Sequence, residues 1–219
     1  MSPGVLVASY DALSGVLDGL VDADWERPTR AEGWSVRDLT FHLLLDAQRA
    51  LVTLASPGER APDRDRFDYW RDFHPEQGDG GAGHAALVRR VAAAYGERAL
   101  LALWRDTAPA ASHAVTLADQ ADLVATQGHV LTVADLASTL VVEATVHHLD
   151  LVVDLPDAPG PPVEGLAETR RVLDVLRGVR FPEAWGDERV ALLGTGRVRP
   201  DAAEGEALGD AGRPLPLLG

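Results

Sequence analysis

Glu143 and His147 stand four residues apart in the run Val141-Val142-Glu143-Ala144-Thr145-Val146-His147-His148-Leu149-Asp150. On a helix that spacing puts both side chains on one face, with Cβ atoms about 6 Å apart. A carboxylate and an imidazole so placed are close enough to grip a single metal ion. Leu140, Val141, Val142, Ala144 and Val146 surround Glu143, so most faces of the helix read as buried. A buried carboxylate with no partner costs on the order of several kcal/mol. A metal, an arginine or a proton must therefore meet it. The same spacing also serves ordinary ion pairs, so this segment alone leaves the three open.

The elements that must position this pair follow from the apolar spacing. Ser35 reads as an N-cap with Asp38 reaching back to it, and Trp34 and Leu39 form a hydrophobic staple. From there Val36, Leu39, Leu43, Ala47, Ala50, Leu51 and Leu54 predict a helix to about Ala55, with His42 at the border of its apolar stripe. Alone, His42 reads as a histidine hydrogen-bonded at a core margin. Residues 4–21 predict a first helix and residues 84–107 a third, and Thr132 with Asp135 starts a fourth that runs to about Asp154. Val115 to Val130 suits a small hairpin. Leu155-Pro-Asp-Ala-Pro-Gly-Pro-Pro162 is the best linker. Beyond it, residues 163–178 suit a fifth helix and Arg189–Leu193 a short strand. The long connection from Ser56 to Gly83 holds Phe67, Tyr69, Trp70 and Phe73 and ends in Gly78-Asp-Gly-Gly-Ala-Gly83, so it reads as a binding loop or lid, or as a short packed helix with a loose tip.

The order G-W-S-V-R-D-x-x-x-H, about a hundred residues, then E-x-x-x-H-x-x-D resembles the DinB-like superfamily. Within it the chain is most similar to the N-terminal domain of mycothiol-dependent maleylpyruvate isomerases. The tail from Arg189 to Arg197 and the closing Leu215-Pro-Leu-Leu-Gly219 also resemble the ends of such proteins. The resemblance implies a mainly α fold, a four-helix bundle over residues 1–155 with a small C-terminal α/β appendage over 156–219. It implies metal ligands on the second and fourth helices, at His42, Glu143 and His147. It also implies that Asp150 orients an imidazole and that Arg197 receives a substrate carboxylate. Asp46, one turn past His42, is a weaker candidate for the same orienting role. His148 points about 100° away from His147 and reads as packing or surface. His74, His84, His113 and His129 lack ligand spacing and receive no role.

Composition narrows the function classes. The net charge is −14, and the twenty basic residues are all arginine. So acidic a surface repels phosphate backbones, and nucleic-acid binding is not expected. The chain has no cysteine, hence no disulfide and no thiol nucleophile of its own. It has no run of eighteen apolar residues and no leader-like start, so a cytoplasmic protein with no membrane span is expected, monomeric or homodimeric. Lys, Asn and Ile are absent, which points to a GC-rich genome; actinobacteria, the makers of mycothiol, fit that description.

Two histidines and a glutamate leave a coordination position open, as catalytic zinc sites do. Zn²⁺ is the first expectation, and Ni²⁺, Fe²⁺ or Mn²⁺ accept the same donors. An incoming thiol, only a few per cent ionised at neutral pH, is deprotonated by such a cation. The expected chemistry is then mycothiol-dependent S-transfer to a small electrophile, or cis–trans isomerisation by addition, rotation and elimination. Two other readings stand beside it: a non-catalytic carrier of a thiol conjugate or biosynthetic intermediate, and a thiol-independent enzyme whose metal polarises a carbonyl.

Overall fold

The computed structural model describes residues 2–71 and 79–218; Phe73, His74 and Gly78 lie outside them. Four long helices make the bundle: α1 (Gly4–Asp18), α2 (Val36–Leu54), α5 (Glu97–Leu117) and α6 (Val133–Leu151). Between α2 and α5 come a single turn, α3 (Asp68–Arg71), and the helix α4 (Asp79–Ala92). In the bundle α2 packs on α5, α5 on α1, α1 on α6 and α6 on α2, closing a ring around Leu6, Leu13, Leu39, Leu43, Trp104 and Ala144. Among the described residues the fold is mainly helical with one two-stranded antiparallel sheet, β1 (Leu123–Thr126) and β2 (His129–Thr132), in which Val124 faces Leu131.

The start of α2 is as the sequence predicts. Ser35 Oγ accepts the Asp38 amide at 3.2 Å, and the Ser35 amide donates to Asp38 Oδ2 at 2.9 Å. Thr132 caps α6 in the same manner, accepting from the Asp135 amide at 3.1 Å. These two caps set where His42 and Glu143 fall along their helices.

The third predicted helix, residues 84–107, is instead two helices. Gly96, extended at φ −72 and ψ 152, N-caps α5, and Glu97 complements the exposed amides of its first turn. Arg37 holds the break from across the bundle, donating to the Tyr95 carbonyl at 2.8 Å and pairing with Glu26 and Glu97. The glycine-rich end of the long connection is likewise helical from Asp79 onward. Earlier in that connection, Ser56, Gly58 and Asp63 exchange backbone hydrogen bonds with Leu123, Ala125 and Val130, so it runs along the hairpin.

Beyond the Pro-rich connection, α7 (Val163–Arg177) packs on α6, and α8 (Asp187–Gly194) packs on α7 and α6. The predicted strand at Arg189–Leu193 is therefore a helix. A short apolar run does not distinguish the two states. Here Gly186 caps it, Asp187 and Glu188 occupy the first turn, and Val190, Ala191, Leu192 and Leu193 are all buried. Its last residue, Gly194, lies hard against α7: a Cβ there would meet Leu173 at 2.7 Å. The strand pair thus sits ahead of α6, and the described elements after the Pro-rich connection, ending in α9 (Ala202–Leu208), are helices. A second apolar cluster, with Val142, Val146, Leu173, Phe181 and Leu217, joins them to α6. No helix among the described residues is long and apolar enough to cross a membrane.

Candidate metal centre

From Leu136 to Leu151 every residue of α6 is buried except Glu143, whose side chain keeps 22% of its exposure. That one opening is where the site lies. Glu143 and His147 share a face, with His147 Nε2 3.2 Å from Glu143 Oε2. The bundle brings His42 of α2 against them, its ring centre 4.8 Å from that of His147 at an interplanar angle of 88°. One ligand atom from each of His42, Glu143 and His147 lies within 4.8 Å of the other two. Donors on one tetrahedral ion stand about 3.4 Å apart, so a modest inward rotation of the side chains would seat a cation.

His42 fits that use. Its Nε2 is 3.5 Å from Asp46 Oδ2, while its Nδ1 is buried with no hydrogen-bond partner among the described residues. An unmet buried acceptor costs about 1–3 kcal/mol, and a cation would satisfy it. Burial holds the His42 imidazole down at about 3, helped by the positive charge of His147, so it is a neutral donor throughout the physiological range.

Asp150 takes the position expected of it. Fully buried, it stands 3.1 Å from His147 Nδ1 through Oδ2, one turn beyond the ligand face. It fixes which nitrogen of His147 faces Glu143. Burial alone would raise the Asp150 carboxyl, but His147 and Arg197 outweigh it and hold the group low. Burial alone would lower His147, yet hydrogen bonds to Asp150 and Glu143 lift it to about 9. Glu143 is pushed up by burial and pulled down further by His147, His42 and Arg49, to about 2. Without a metal, the pair is imidazolium and carboxylate.

Arg197 reaches the site from beyond the bundle. Its Nε and Nη2 bind Asp150 at 3.3 and 3.1 Å, and Nη1 donates to the Thr195 carbonyl at 3.1 Å. An Arg197–Asp150–His147 chain thus links the C-terminal segment to the ligand cluster. Asp46 sits beside His42 and also pairs with Arg49. His148 is buried and donates from Nε2 to the Pro159 carbonyl at 2.9 Å, turned into packing and away from the site. His113 is exposed, and His129 pairs with Asp63 at 3.0 Å on the hairpin.

Four neighbours were not legible as site residues. Trp34, read only as a staple, sets its ring edge-on against His42 at 5.1 Å. Arg49 and Tyr69 line a narrow cavity beside Glu143 with Thr126 and Thr139. His84 stands 5.6 Å from His42, ring centre to ring centre. Their common signal is fold-dependent: only Arg49 shares a helix with a ligand, seven residues on from His42 and hence on its face.

A model of the mycothiol maleylpyruvate isomerase N-terminal domain matches residues 6–152. The chain belongs to that family. The match runs from within α1 to just past the end of α6 and takes in all three donors. No curated protein and no solved structure matches the chain. The family's name ties it to mycothiol-associated enzymes, and the DinB-like bundle agrees with the element order described above.

Proposed function

We propose that this protein is a metal-dependent enzyme that activates a low-molecular-weight thiol, with mycothiol as the expected cosubstrate, for S-transfer to a small electrophile or for its isomerisation. The observation that carries this reading is the convergence of His42, Glu143 and His147 at the one opening in the Leu136–Leu151 stretch of α6, in a chain of this family. In this reading the bundle of residues 1–155 holds the metal, most simply Zn²⁺, with Ni²⁺, Fe²⁺ or Mn²⁺ as substitutes. Residues 156–219 form an extension that supports the site.

A divalent cation held there makes a thiol that meets it a nucleophile at neutral pH. The chain's own residues do the rest. His42, Glu143 and His147 hold the ion. Asp150 keeps the proton of His147 on Nδ1 and its Nε2 free for the ion. Arg197 holds Asp150 in place, and three hydrogen bonds leave two of the five guanidinium N–H donors for a substrate carboxylate. Trp34 packs edge-on against His42, and the α6 residues flanking Glu143 are buried, so the donors meet solvent over a small area. The chain has no cysteine, so the nucleophilic sulfur must come from outside.

The test incubates metal-loaded protein with mycothiol and a panel of small electrophiles, including maleylpyruvate, and follows both thiol consumption and substrate loss. Turnover that needs both metal and mycothiol, and that His42→Ala abolishes, is the expected result. Tight thiol binding without turnover would replace the reading with a carrier, and turnover without mycothiol with a Lewis-acid enzyme.

A further inference from the structure

The run Leu215-Pro-Leu-Leu218 docks on the end of α8, beside Arg197. The amides of Leu217 and Leu218 both donate to the Gly194 carbonyl, at 2.7 and 3.3 Å, a group that a helix end otherwise leaves unmet. Pro216 lies against Gly196, where φ is +72 and a Cβ would meet the proline ring at 3.0 Å. Leu217 and Leu218 are buried in one apolar cluster with Val142 and Val146, the residues just ahead of Glu143 and His147. Upstream, the chain is pinned separately. The Arg213 amide donates to the Arg177 carbonyl at 2.8 Å, and Arg177 Nη2 donates to the carbonyls of Leu208 and Ala211, both at 2.9 Å. Pro214 and Pro216, between the two anchorages, are exposed. Residues 214–218 are thus built to lift off α8 as a local unit while the rest of the fold stays in place.

We propose that Leu217 and Leu218 are positioning residues of the metal centre: their docking holds Arg197 on Asp150, so that segment and metal bind cooperatively, an inference that rests on the metal reading above. The link is short. The docked segment fixes Gly194 and Gly196, Arg197 follows directly, and its Nη1 donates to the Thr195 carbonyl between them. From that footing Nε and Nη2 of Arg197 bind Asp150, and Asp150 in turn meets Nδ1 of His147. With the segment lifted, residues 194–197 lose their support and the fully buried Asp150 loses a fixed partner. Groups that orient a metal-bound histidine change metal affinity by about 10- to 100-fold. The segment acts through such a group, so a coupling of about 10-fold is expected. Coupling is reciprocal, and bound metal must hold the segment down by the same factor.

The first test needs no variant: amide hydrogen exchange, followed by NMR, in native protein without metal and loaded with Zn²⁺. The Leu217 and Leu218 amides should exchange about 10-fold more slowly in the loaded protein, while the Arg213 amide, on the upstream anchorage, keeps its rate. The second is a double-mutant cycle on Zn²⁺ affinity, with each variant shown by circular dichroism to be folded. Leu217→Ala should weaken Zn²⁺ about 10-fold in the native background and leave it unchanged in an Arg197→Gln background, since both changes act through the same guanidinium. Equal Leu217 and Leu218 exchange with and without Zn²⁺, slowing shared by Arg213, or a Leu217→Ala effect that adds in full to that of Arg197→Gln would overturn the coupling and leave the three-donor site standing. Failure of the native protein to take up Zn²⁺ would overturn both.

Discussion

Metal binding should expel one proton, and His147 is its source. In the metal-free site this imidazole is held at about 9 by Asp150 and Glu143, against an ordinary value near 6.5. Only the neutral ring donates to a metal, so at pH 8 about 0.9 proton leaves per ion bound, whereas an unperturbed histidine would release about 0.03. His42, at about 3, and Glu143, at about 2, are already in their metal-binding forms there and release nothing. The apparent affinity should accordingly rise about 50-fold from pH 7 to pH 9 and then level off, compared with less than about 2-fold for a ring at 6.5. Titration calorimetry at pH 8 in buffers of different ionisation enthalpy reads the proton count directly. Ni²⁺ or Mn²⁺ is preferred to Zn²⁺, because zinc-bound water can itself ionise near neutrality. A count near zero at pH 8, with a flat affinity profile, would refute the charge assignment of the Glu143–His147–Asp150 triad.

The same proton governs the metal-free fold. Because the folded value of His147 lies above the unfolded one, its stabilisation is complete below about pH 6.5 and is lost as pH climbs through about 9. The unfolding free energy of metal-free protein should drop on the order of 2 kcal/mol across that window, read by urea denaturation, while metal-loaded protein stays level. Asp150→Asn should weaken metal binding about 10- to 100-fold and cut the proton release at pH 8, since one of the two carboxylates that lift His147 is gone; unchanged release would dismiss its orienting role. Gly165→Ala should destabilise by about 1–3 kcal/mol. Its Cβ would meet Thr145 Oγ1 at 2.6 Å and Ser9 Oγ at 3.3 Å, where α7 crosses α6 and α1, and thermal denaturation would detect the loss.

The sequence carried the bundle well because its signals are local. Ser35 with Asp38 and Thr132 with Asp135 mark helix starts by short hydrogen bonds within one turn, and the i, i+4 spacing of Glu143 and His147 places them on one face under any tertiary arrangement. The break at Gly96 was harder to see, because Arg37 stabilises it from 58 residues away. Arg189–Leu193 misled for another reason: an apolar run buried on all sides lacks the alternation that separates strand from helix. His84 and Tyr69 approach the donors only through the packing of α4 and α3, which no local spacing encodes. Arg197 was suggested by resemblance, but its grip on Asp150 depends on how α8 seats against α6.

The most direct test of the account is metal content, measured by elemental analysis on the native protein, His147→Ala and Glu143→Gln, each shown by circular dichroism to be folded. About one equivalent of a divalent transition metal in the native protein, and little in either variant, is the predicted result. A native protein that stays metal-free after incubation with Zn²⁺ and Ni²⁺, or variants that retain a full equivalent, would contradict a metal centre at His42, Glu143 and His147.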